Sequence, residues 1–542
     1  MRYDHGGALL VAVLRELGID TVFGIVSVHN LPLVEAVDRE LRFVPVRHEA
    51  TAVNAADAYG RARGGLGCAL TSTGTGAGNA AGSLVEALAS GTSVLHVTGQ
   101  VETEFLGSGR GFIHETKDQL GMLTAVSKYA ATVRSAGEAG RVLREAAAAA
   151  LAAPGGPASV EWPIDLQYAA QTDAPDAPPA EPSPAAPDPA QIASAAKLLS
   201  SARRPLIWAG GGAVRARTEL AALVEATGAG LLTSNSGRGS VPEDHPQVVG
   251  NFATTPAGRA LLADADLLLT VGTHFRSNET ADYGLRIPEQ HIQIDIDAAA
   301  LGRVYPATHA LHGDAADTLG ALLPHARRAE PAWTERVGQV RTEVRSALHD
   351  NLGPQAAICD ALRAALPRDA VVARDVTIAS SSWGNRLLEM YDPRANVFPR
   401  GGGIGQGLGM GIGAALAAPD RPTVVIAGDG GLAVHLGELL TLAQERPCLT
   451  LLVFNDGGYG VLRNMQDRYA DRRSGVDLAT PDFELLARAC GLPYLRIADA
   501  EHAAPVIDQA VASDGPVLVE VDLAALGPMK NPFTPPVKIP AA

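Results

Sequence analysis

Two short apolar runs that each end in aspartate and glycine constrain the fold of this chain more than any other feature. The run RPTVVIA is followed by GDGG, and the run CLTLLVF is followed by NDGGYG. Runs of this length predict buried strands, and the glycines and aspartates predict the loops at their ends. The segment between the two clusters has the composition of one helix. A strand–helix–strand order predicts parallel strands, so Asp429 and Asp456, which are 27 residues apart (456 − 429), should lie at the same edge of a sheet.

The rest of the chain repeats this alternation of strand and helix patterns. Apolar runs such as TVFGI and TSVLHVTG occur before residue 171, ADLLLTVG and HIQIDID occur in the middle, and AVVARD and PVLVEVD occur in the last third. Such alternation predicts an α/β fold with mainly parallel, doubly wound sheets covered by helices. We predict three successive domains at residues 1–171, 191–345 and 353–542, with a Pro- and Ala-rich linker at 172–190.

Composition argues against several classes of protein. The net charge of the 542 residues is −15, which argues against non-specific binding of nucleic acid. The N-terminal residues have an amphipathic pattern and no apolar run approaches the roughly 20 residues of a membrane span, so neither a signal peptide nor a membrane protein is predicted. The four cysteines form no CxxC pair, which argues against a disulfide framework or a zinc site and favours the reducing cytoplasm.

The two aspartate clusters have the chemistry of a metal site. Mg²⁺ prefers oxygen ligands in near-octahedral geometry and usually takes one or two carboxylates together with phosphate oxygens. The glycines beside Asp429 and Asp456 allow the backbone to come close to a ligand, and a helix that begins after GDGG directs free N–H groups toward an anion. A lone GDG is also a common turn, so the prediction of a metal–diphosphate site depends on the second cluster.

The order GDGG, helix, NDGGYG resembles the thiamin-diphosphate motif of the pyruvate decarboxylase, benzoylformate decarboxylase and acetolactate synthase superfamily. The resemblance implies thiamin diphosphate and Mg²⁺ as cofactors, with Mg²⁺ on Asp429, Asp456 and the backbone oxygen of Gly458. The superfamily usually has Asn where this chain has Asp456, a difference that keeps an oxygen ligand and adds a charge.

The segment PRGGGIGQGLGMG resembles the glycine-rich stretch before GDG, which implies that Gly402 holds the aminopyrimidine and that Ile404 is the apolar wedge that bends the cofactor. An ordinary core position is the alternative for Ile404. The same resemblance assigns further cofactor contacts to Thr377, Ile378, Gly430, Gly431, Asp456, Gly458 and Tyr459.

The segment FVPVRHEATAVNAADAYGRARG resembles the one that carries the catalytic glutamate of the superfamily. Activation of thiamin diphosphate requires a buried acid that protonates the pyrimidine ring of the cofactor, and burial raises the pKa of such an acid. The resemblance assigns this role to Glu49, which follows an apolar run and begins a predicted helix. It also implies a homodimer or homotetramer whose active sites lie between subunits, with Glu49 from one subunit and Asp429 from another.

Further polar residues are candidates for contact with the substrate. His29, His114 and Glu115 occupy places where members of the superfamily carry active-site polar residues, and a loop or core residue without catalytic function is the alternative for each. We interpret His48 and His435 as structural. Positions in the substrate pocket are implied for Ser72, Thr73, Val461 and Met465.

The resemblance implies attack of the C2 ylide of the cofactor on the carbonyl of a 2-oxo acid, followed by C–C cleavage or formation through an enamine intermediate. The segments SVHN and HETKDQ favour a 2-oxo acid decarboxylase or a carboligase, which would take an aldehyde or ketone as second substrate. The segment VGTHFRSNETADYG lacks the FDDR pattern of acetolactate synthases, so a transferase of that type is the alternative and FAD is not favoured as a cofactor. A non-catalytic binding or regulatory protein of the same fold is an alternative of another class. No strand-coupled GxGxxG supports a NAD(P)-dependent oxidoreductase.

Overall fold

The computed structural model describes residues 1–173 and 187–535 and contains three α/β domains in succession. Each domain is built on a sheet of six parallel strands with helices packed against it. The prediction of three doubly wound α/β domains is therefore confirmed. Most of the predicted linker at 172–190 lies outside the described residues, and the helix that follows begins at Pro189.

The N-terminal sheet has the strand order β3-β2-β4-β5-β7-β6. Two residues near the start of the chain also pair with two near the end of this domain, as the antiparallel ribbon β1–β8. Strand β6 was not predicted from the sequence, because its residues YAAT are only half-buried at the margin of the sheet. The elements are β1 Arg2–Tyr3, α1 Gly6–Glu16, β2 Thr21–Gly24, α2 Leu31–Glu40, β3 Arg42–Pro45, α3 Glu49–Arg63, β4 Gly67–Thr71, α4 Thr75–Ser90, β5 Val94–Gln100, α5 Gln119–Val126, β6 Tyr129–Thr132, α6 Ala139–Leu151, β7 Pro157–Pro163, α7 Ile164–Tyr168 and β8 Gln171–Thr172.

The middle sheet has the strand order β11-β10-β9-β12-β13-β14. A 22-residue helix, α12, follows it, so the predicted end of this domain at residue 345 falls inside a continuous helix. This helix joins two domains, since Trp333 donates to the carbonyl of Pro205 at 2.9 Å and Arg345 donates to Glu389 at 2.8 Å. The elements are α8 Pro189–Ser201, β9 Pro205–Ala209, α9 Arg217–Thr227, β10 Gly230–Thr233, β11 Val248–Gly250, α10 Pro256–Asp264, β12 Leu267–Val271, β13 His291–Asp295, β14 His309–His312, α11 Ala315–Leu322 and α12 Pro331–Leu352.

The C-terminal sheet has the strand order β16-β15-β17-β18-β20-β19. The single helix predicted between the two aspartate clusters is wrong, because the segment divides into α15, a 3₁₀ turn at Ala433–His435 and α16. Glycines within and between these pieces disfavour a continuous helix. The elements are α13 Ala356–Ala365, β15 Val371–Arg374, β16 Asn396–Val397, α14 Gly407–Ala417, β17 Thr423–Gly428, α15 Asp429–Leu432, α16 Glu438–Glu445, β18 Leu449–Asn455, α17 Gly460–Tyr469, α18 Phe483–Ala489, β19 Tyr494–Ile497, α19 Ala503–Val511, β20 Val517–Asp522 and α20 Leu523–Leu526.

Helices α3 and α14 join the N-terminal and C-terminal domains. Glycines on α14 allow the close approach: a Cβ atom at Gly413 would lie 2.0 Å from the carbonyl oxygen of Ala55, and one at Gly409 would lie 2.9 Å from Thr51. The same pair of domains is held by Arg61, which donates to the carbonyl of Phe398 at 2.8 Å. Across the described ranges, none of the helices combines the length and the apolarity that crossing a lipid bilayer requires.

Candidate active site

Three neighbouring strands bring three aspartates to one edge of the C-terminal sheet. Strands β15, β17 and β18 are adjacent and parallel, and Asp375, Asp429 and Asp456 are the residues that follow them. Because the carboxyl ends of parallel strands meet at one edge, this is where ligands bind in such sheets. Asp375 was not predicted from the sequence, although its place at the end of the apolar run VVAR is the same signal that selected the other two.

The carboxylates of Asp429 and Asp456 share a mostly buried site. Asp429 is 2% exposed, and its carboxylate accepts a hydrogen bond from the Gly458 N–H at 2.7 Å. The N–H of Asp456 lies 3.5 Å from the other carboxylate oxygen of Asp429. Burial raises the pKa of Asp429, and backbone N–H groups oppose the rise. Burial also raises the pKa of Asp456 to about 6, with repulsion from Asp429 adding to the rise and Arg463 opposing it.

The guanidinium of Arg463 holds the loop that carries Asp456. It donates to the backbone carbonyls of Asp456 and Gly457 at 3.0 and 3.1 Å and to the carboxylate of Asp477 at 2.7 Å. It also lies 3.7 Å from the Asp456 carboxylate. Arg463 was not predicted from the sequence. Its charge offsets part of the negative charge that Asp456 adds relative to the usual asparagine.

These groups fit a divalent cation. Two carboxylates that repel each other, both with raised pKa values, are relieved when a cation binds between them. A Cβ atom at Gly430 would lie 2.9 Å from the carbonyl oxygen of Gly458, so the glycine keeps that oxygen approachable. Within residues 1–173 and 187–535 there is no group of three or more His, Cys, Asp or Glu that could hold a metal. A Mg²⁺ ion here would therefore need the Gly458 carbonyl and phosphate oxygens in addition to the two carboxylates.

The other predicted cofactor residues of this domain surround the same edge. A Cβ atom at Gly428 would lie 3.1 Å from the Thr377 hydroxyl, and Cβ atoms at Gly460 and Gly430 would touch Ile378 and Tyr459. The proximity of Thr377 to the end of β17 places a hydroxyl donor beside the aspartate pair. Such a hydroxyl could donate a hydrogen bond to a diphosphate, since phosphate oxygens accept hydrogen bonds.

Asp375 organises the glycine turn beside this edge. Its buried carboxylate accepts hydrogen bonds from the N–H groups of Gly405 and Gly407, both at 3.0 Å. The same carboxylate lies close to Gly431. Burial raises the pKa of Asp375, and these backbone N–H groups oppose the rise. Asp375 thus fixes the backbone directly after Ile404.

Gly402 and Ile404 lie in an extended loop between the domains. Gly402 has φ +91°, a conformation that favours glycine. The flanking N–H groups of Gly401 and Gly403 donate to the Glu86 carboxylate of the N-terminal domain. The Ile404 side chain is 40% exposed, so it is not an ordinary core residue of this chain. An apolar side chain that projects from a glycine loop is available to support a ligand.

Glu49 begins helix α3 and directs its carboxylate toward the start of α4. His48 caps the helix by accepting a hydrogen bond from the N–H of Ala50. The Glu49 side chain is buried, accepts a hydrogen bond from Asn79 at 3.0 Å and lies directly against Gly76. The Glu49 carboxyl group is thus buried between the starts of two helices, and its catalytic role stays a prediction.

His48 and His435 pack against each other, and their interpretation as structural stays a prediction. Their ring centroids are 4.9 Å apart. The Nδ1 atom of His435 lies within hydrogen-bond distance, 2.8 Å, of the Gly405 carbonyl. The pair therefore links the start of α3 to the glycine turn of the C-terminal domain.

His29 and His114 lie in contact beyond the carboxyl ends of the N-terminal strands. Their ring centroids are 5.2 Å apart. Both ring nitrogens of His29 are buried and lack hydrogen-bond partners among the described residues, as does one carboxylate oxygen of Glu102. Burial lowers the pKa of His29, and nearby His114 adds to this, whereas Glu102 opposes it. His114 has φ +67°, which non-glycine residues rarely adopt. Unpartnered polar atoms together with backbone strain indicate a functional site.

Glu115 is held differently from its neighbour His114. Its carboxylate accepts hydrogen bonds from the N–H groups of Gly109 and Gly111 at 2.8 and 3.0 Å. These backbone hydrogen bonds lower the pKa of Glu115. The contacts show that Glu115 organises its own loop, and its catalytic role stays a prediction.

The predicted substrate-pocket residues lie on two domains. Ser72 and Thr73 follow β4, and the buried Thr73 hydroxyl donates to Gln119 at 2.9 Å. Val461 and Met465 are half-buried and one turn apart on α17. Their contact with a substrate stays a prediction.

Fold and site together define a class of protein. The chain has three α/β domains with parallel sheets; the last domain carries a candidate cation and diphosphate site, and the first carries a buried acid. Consecutive parts of the chain match models of thiamine pyrophosphate enzymes: residues 4–122 match the N-terminal TPP binding domain, residues 192–322 the central domain and residues 378–521 the C-terminal TPP binding domain.

Relatives align with nearly the whole chain. A probable 2-ketoarginine decarboxylase from Pseudomonas aeruginosa is 34% identical over 95% of this chain and 93% of its own length. The acetolactate synthase isozyme 2 large subunit of Escherichia coli is 30% identical over 96% of both chains. An acetolactate synthase from Mycobacterium bovis is 31% identical over 96% of this chain and 88% of its own. The chain belongs to the thiamine pyrophosphate enzyme family, so the predicted superfamily and the prediction of thiamin diphosphate as cofactor are confirmed.

Proposed function

We propose that this enzyme is Mg²⁺-dependent and decarboxylates 2-oxo acids. The observation that carries the proposal is the buried Asp429 paired with the partly buried Asp456 beside the Gly458 carbonyl, an arrangement in which a cation would relieve repulsion and bind a diphosphate. When bound, thiamin diphosphate supplies the nucleophilic carbon that adds to the substrate carbonyl and accepts the electron pair left by CO₂.

The residues of the chain would hold and activate that cofactor. Asp429, Asp456 and the Gly458 carbonyl would bind Mg²⁺, and Thr377 would donate to the diphosphate. Glu49 would hold a proton against the aminopyrimidine ring, in keeping with its burial and its single side-chain donor. Ile404, which projects from its loop, would support the bent cofactor.

Replacement of Glu49 by Gln tests this assignment. The amide cannot transfer the proton but keeps the shape of the side chain, so we expect turnover to fall at least a thousandfold while thiamin diphosphate and Mg²⁺ still bind in isothermal titration calorimetry. Undiminished turnover would exclude the proposed role of Glu49. Failure of the unmodified protein to bind the cofactor would instead favour a non-catalytic protein of the same fold.

We further propose that two copies of the chain form each active site. Large apolar side chains are exposed on the elements that carry the site, among them Val28, Val434 and Ile404, and such exposure indicates an interface. Mixing two inactive variants, Glu49→Gln and Asp429→Asn, tests this arrangement. If one subunit supplies Glu49 and the other Asp429, mixed dimers contain one intact site and activity returns. Sites within single chains would give no recovery. A homodimer or homotetramer in the cytoplasm is the corresponding proposal for assembly and location.

The substrate proposed is a 2-oxo acid with a cationic side chain. A buried oxygen of Glu102, near the His29–His114 pair, has no hydrogen-bond partner among residues 1–173 and 187–535, and a relative is a probable 2-ketoarginine decarboxylase. A guanidinium group would provide the missing donor.

Assays with 2-ketoarginine and with 2-oxohexanoate, whose side chain is uncharged, distinguish this substrate class. We expect a kcat/KM at least tenfold higher for 2-ketoarginine and loss of that preference in Glu102→Gln. An unchanged preference in the variant would contradict the role of Glu102. Formation of acetolactate from pyruvate alone would favour the transferase function instead.

A further inference from the structure

A cavity of about 400 Å³ lies at the margin of the N-terminal sheet, where strands β5, β6 and β7 end. It is bounded on the other side by the loop that leads from β5 to α5. The metal site residues, Glu49, His29 and His114 do not line it, whereas Glu115, a predicted catalytic residue, lies at its opening. Its volume suits a small organic molecule.

The floor of the cavity contains a buried carboxylate, that of Glu161, which is 3% exposed. Its oxygens accept hydrogen bonds from Gln100 at 3.0 Å, Gln119 at 3.1 Å and Thr132 at 2.6 Å. All three donors are neutral, and no cationic side chain in the described ranges forms an ion pair with Glu161. Buried carboxylates are usually paired with a cation, because burial without one is costly. The floor thus presents a hydrogen-bonded carboxylate that no cationic side chain of the described residues neutralises.

Cationic side chains line the opening of the same cavity. Lys117 and Arg134 are exposed there, and neither forms an ion pair within residues 1–173 and 187–535. The acidic Glu115 and Asp118 also line the cavity, but their carboxylates accept hydrogen bonds from backbone N–H groups. Strand pairing places Thr132 opposite Glu161, and Arg134 is two residues further along, a backbone separation of about 7 Å.

We propose that this cavity binds a free α-amino acid, with the ammonium group on Glu161 and the carboxylate on Arg134 and Lys117. The site is separate from the proposed cofactor site, and its ligand is not a substrate of the reaction. Binding does not depend on the proposed function.

The cavity is connected to the start of helix α4 by hydrogen bonds. The same Gln119 side chain that donates to Glu161 accepts from the Thr73 hydroxyl at 2.9 Å and from the Gly74 N–H at 2.7 Å. One turn later, Gly76 lies against the Glu49 carboxylate. An ammonium on Glu161 competes with the Gln119 amide for the carboxylate, so the ligand should alter the position of the turn beside Glu49.

Isothermal titration calorimetry on the full chain with L-alanine, L-leucine and L-glutamine tests binding. For the tightest of the three, the analogue with a hydroxyl in place of the ammonium and the amine without the carboxylate should each bind at least tenfold more weakly. Glu161→Gln and Arg134→Gln should each weaken binding at least tenfold, whereas Arg141→Gln, an exposed arginine on α6 outside the cavity, should leave it unchanged.

Two results would overturn the proposal. One is the absence of binding by all three amino acids at millimolar concentration. The other is binding that Arg134→Gln does not weaken; this exposed position keeps the test decisive even if Glu161→Gln fails to fold. A change in turnover with bound amino acid would support the connection to Glu49, and amino acid binding with no change in turnover would refute that connection alone.

Discussion

Replacement of Asp456 by Asn should make the metal-free protein more stable, and increasingly so as the pH rises. In the folded protein the pKa of Asp456 is about 6, against an ordinary value of 3.8. The unfolded chain therefore loses this proton at lower pH than the folded protein does. Between the two values the folded state binds more protons, so the free energy of unfolding falls as the pH rises through that window. Asparagine carries no such proton and removes the effect.

The magnitude follows from the two pKa values. A rise from 3.8 to about 6 corresponds to at most about 3 kcal/mol at pH 8. The side chain is 20% exposed, and solvent screening reduces this to about 2 kcal/mol. At pH 5 Asp456 is still mostly protonated in the folded protein but mostly ionised in the unfolded chain. The variant is therefore more stable than wild type by about 1 kcal/mol at this pH. The stability gained by the variant should thus grow by about 1 kcal/mol from pH 5 to pH 8.

Denaturant titrations of both proteins in excess EDTA at pH 5, 6, 7 and 8 measure this growth. Asp477→Asn is the matched control, because Asp477 contacts the same Arg463 but is 60% exposed and does not interact with Asp429. Equal growth in the control would attribute the effect to the loss of a carboxylate beside Arg463 and not to the contact between Asp429 and Asp456. A stability difference between wild type and Asp456→Asn that is constant across the range would refute the raised pKa of Asp456, which burial causes and repulsion from Asp429 increases. With saturating Mg²⁺ and thiamin diphosphate, the difference in free energy of unfolding between Asp456→Asn and wild type should become smaller or change sign. The ligands stabilise most the protein that binds them most tightly, which we expect to be wild type.

Two substitutions of glycine test the site and the domain contact. In Gly458→Ala the new Cβ would lie 2.1 Å from the carbonyl oxygen of Val476, so the proposed ligand carbonyl must shift; Mg²⁺-dependent binding of thiamin diphosphate in calorimetry should weaken at least tenfold. Gly457→Ala also has positive φ but meets open space, and an equal loss there would mean that backbone strain alone is responsible. In Gly413→Ala the Cβ would lie 2.0 Å from a backbone oxygen of α3, and thermal unfolding should show a loss of about 2 kcal/mol or more. No loss of stability would show that the two helices can separate without cost.

Local pattern was enough to predict the strands and the residues at their ends. The apolar runs before Asp429 and Asp456 became the adjacent strands β17 and β18, because a strand buried on both faces must be almost wholly apolar. The segment with Glu49 became the start of α3 for a similarly local reason, since a run of helix-favouring residues follows it.

Marginal strands and partner residues were not predictable in this way. Strand β16 contains only two residues, and β6 contains alanines that have no strong strand preference. Arg463 holds the Asp456 loop through the backbone carbonyls of Asp456 and Gly457, seven and six residues earlier, and through the carboxylate of Asp477, fourteen residues later. The contact of Glu86 with Gly401 and Gly403 joins residues more than 300 positions apart. No sequence window contains both partners of such a contact.

The sequence by itself therefore determined the fold class and the two aspartates at strand ends, because strand burial and turn chemistry are local properties, and its resemblance to the superfamily assigned the proposed role of Glu49. Tertiary structure decided how these residues are held: that Arg463 offsets the charge of Asp456, that Asp375 fixes the turn after Ile404, and that Glu161 lies without a cation in its own cavity. The contacts of Asp375 and Glu161 join residues 29 to 61 positions apart, which only the packing of sheets and helices brings together. Arg463 is only seven residues from Asp456, but the turn between β18 and α17 decides that its guanidinium faces that loop.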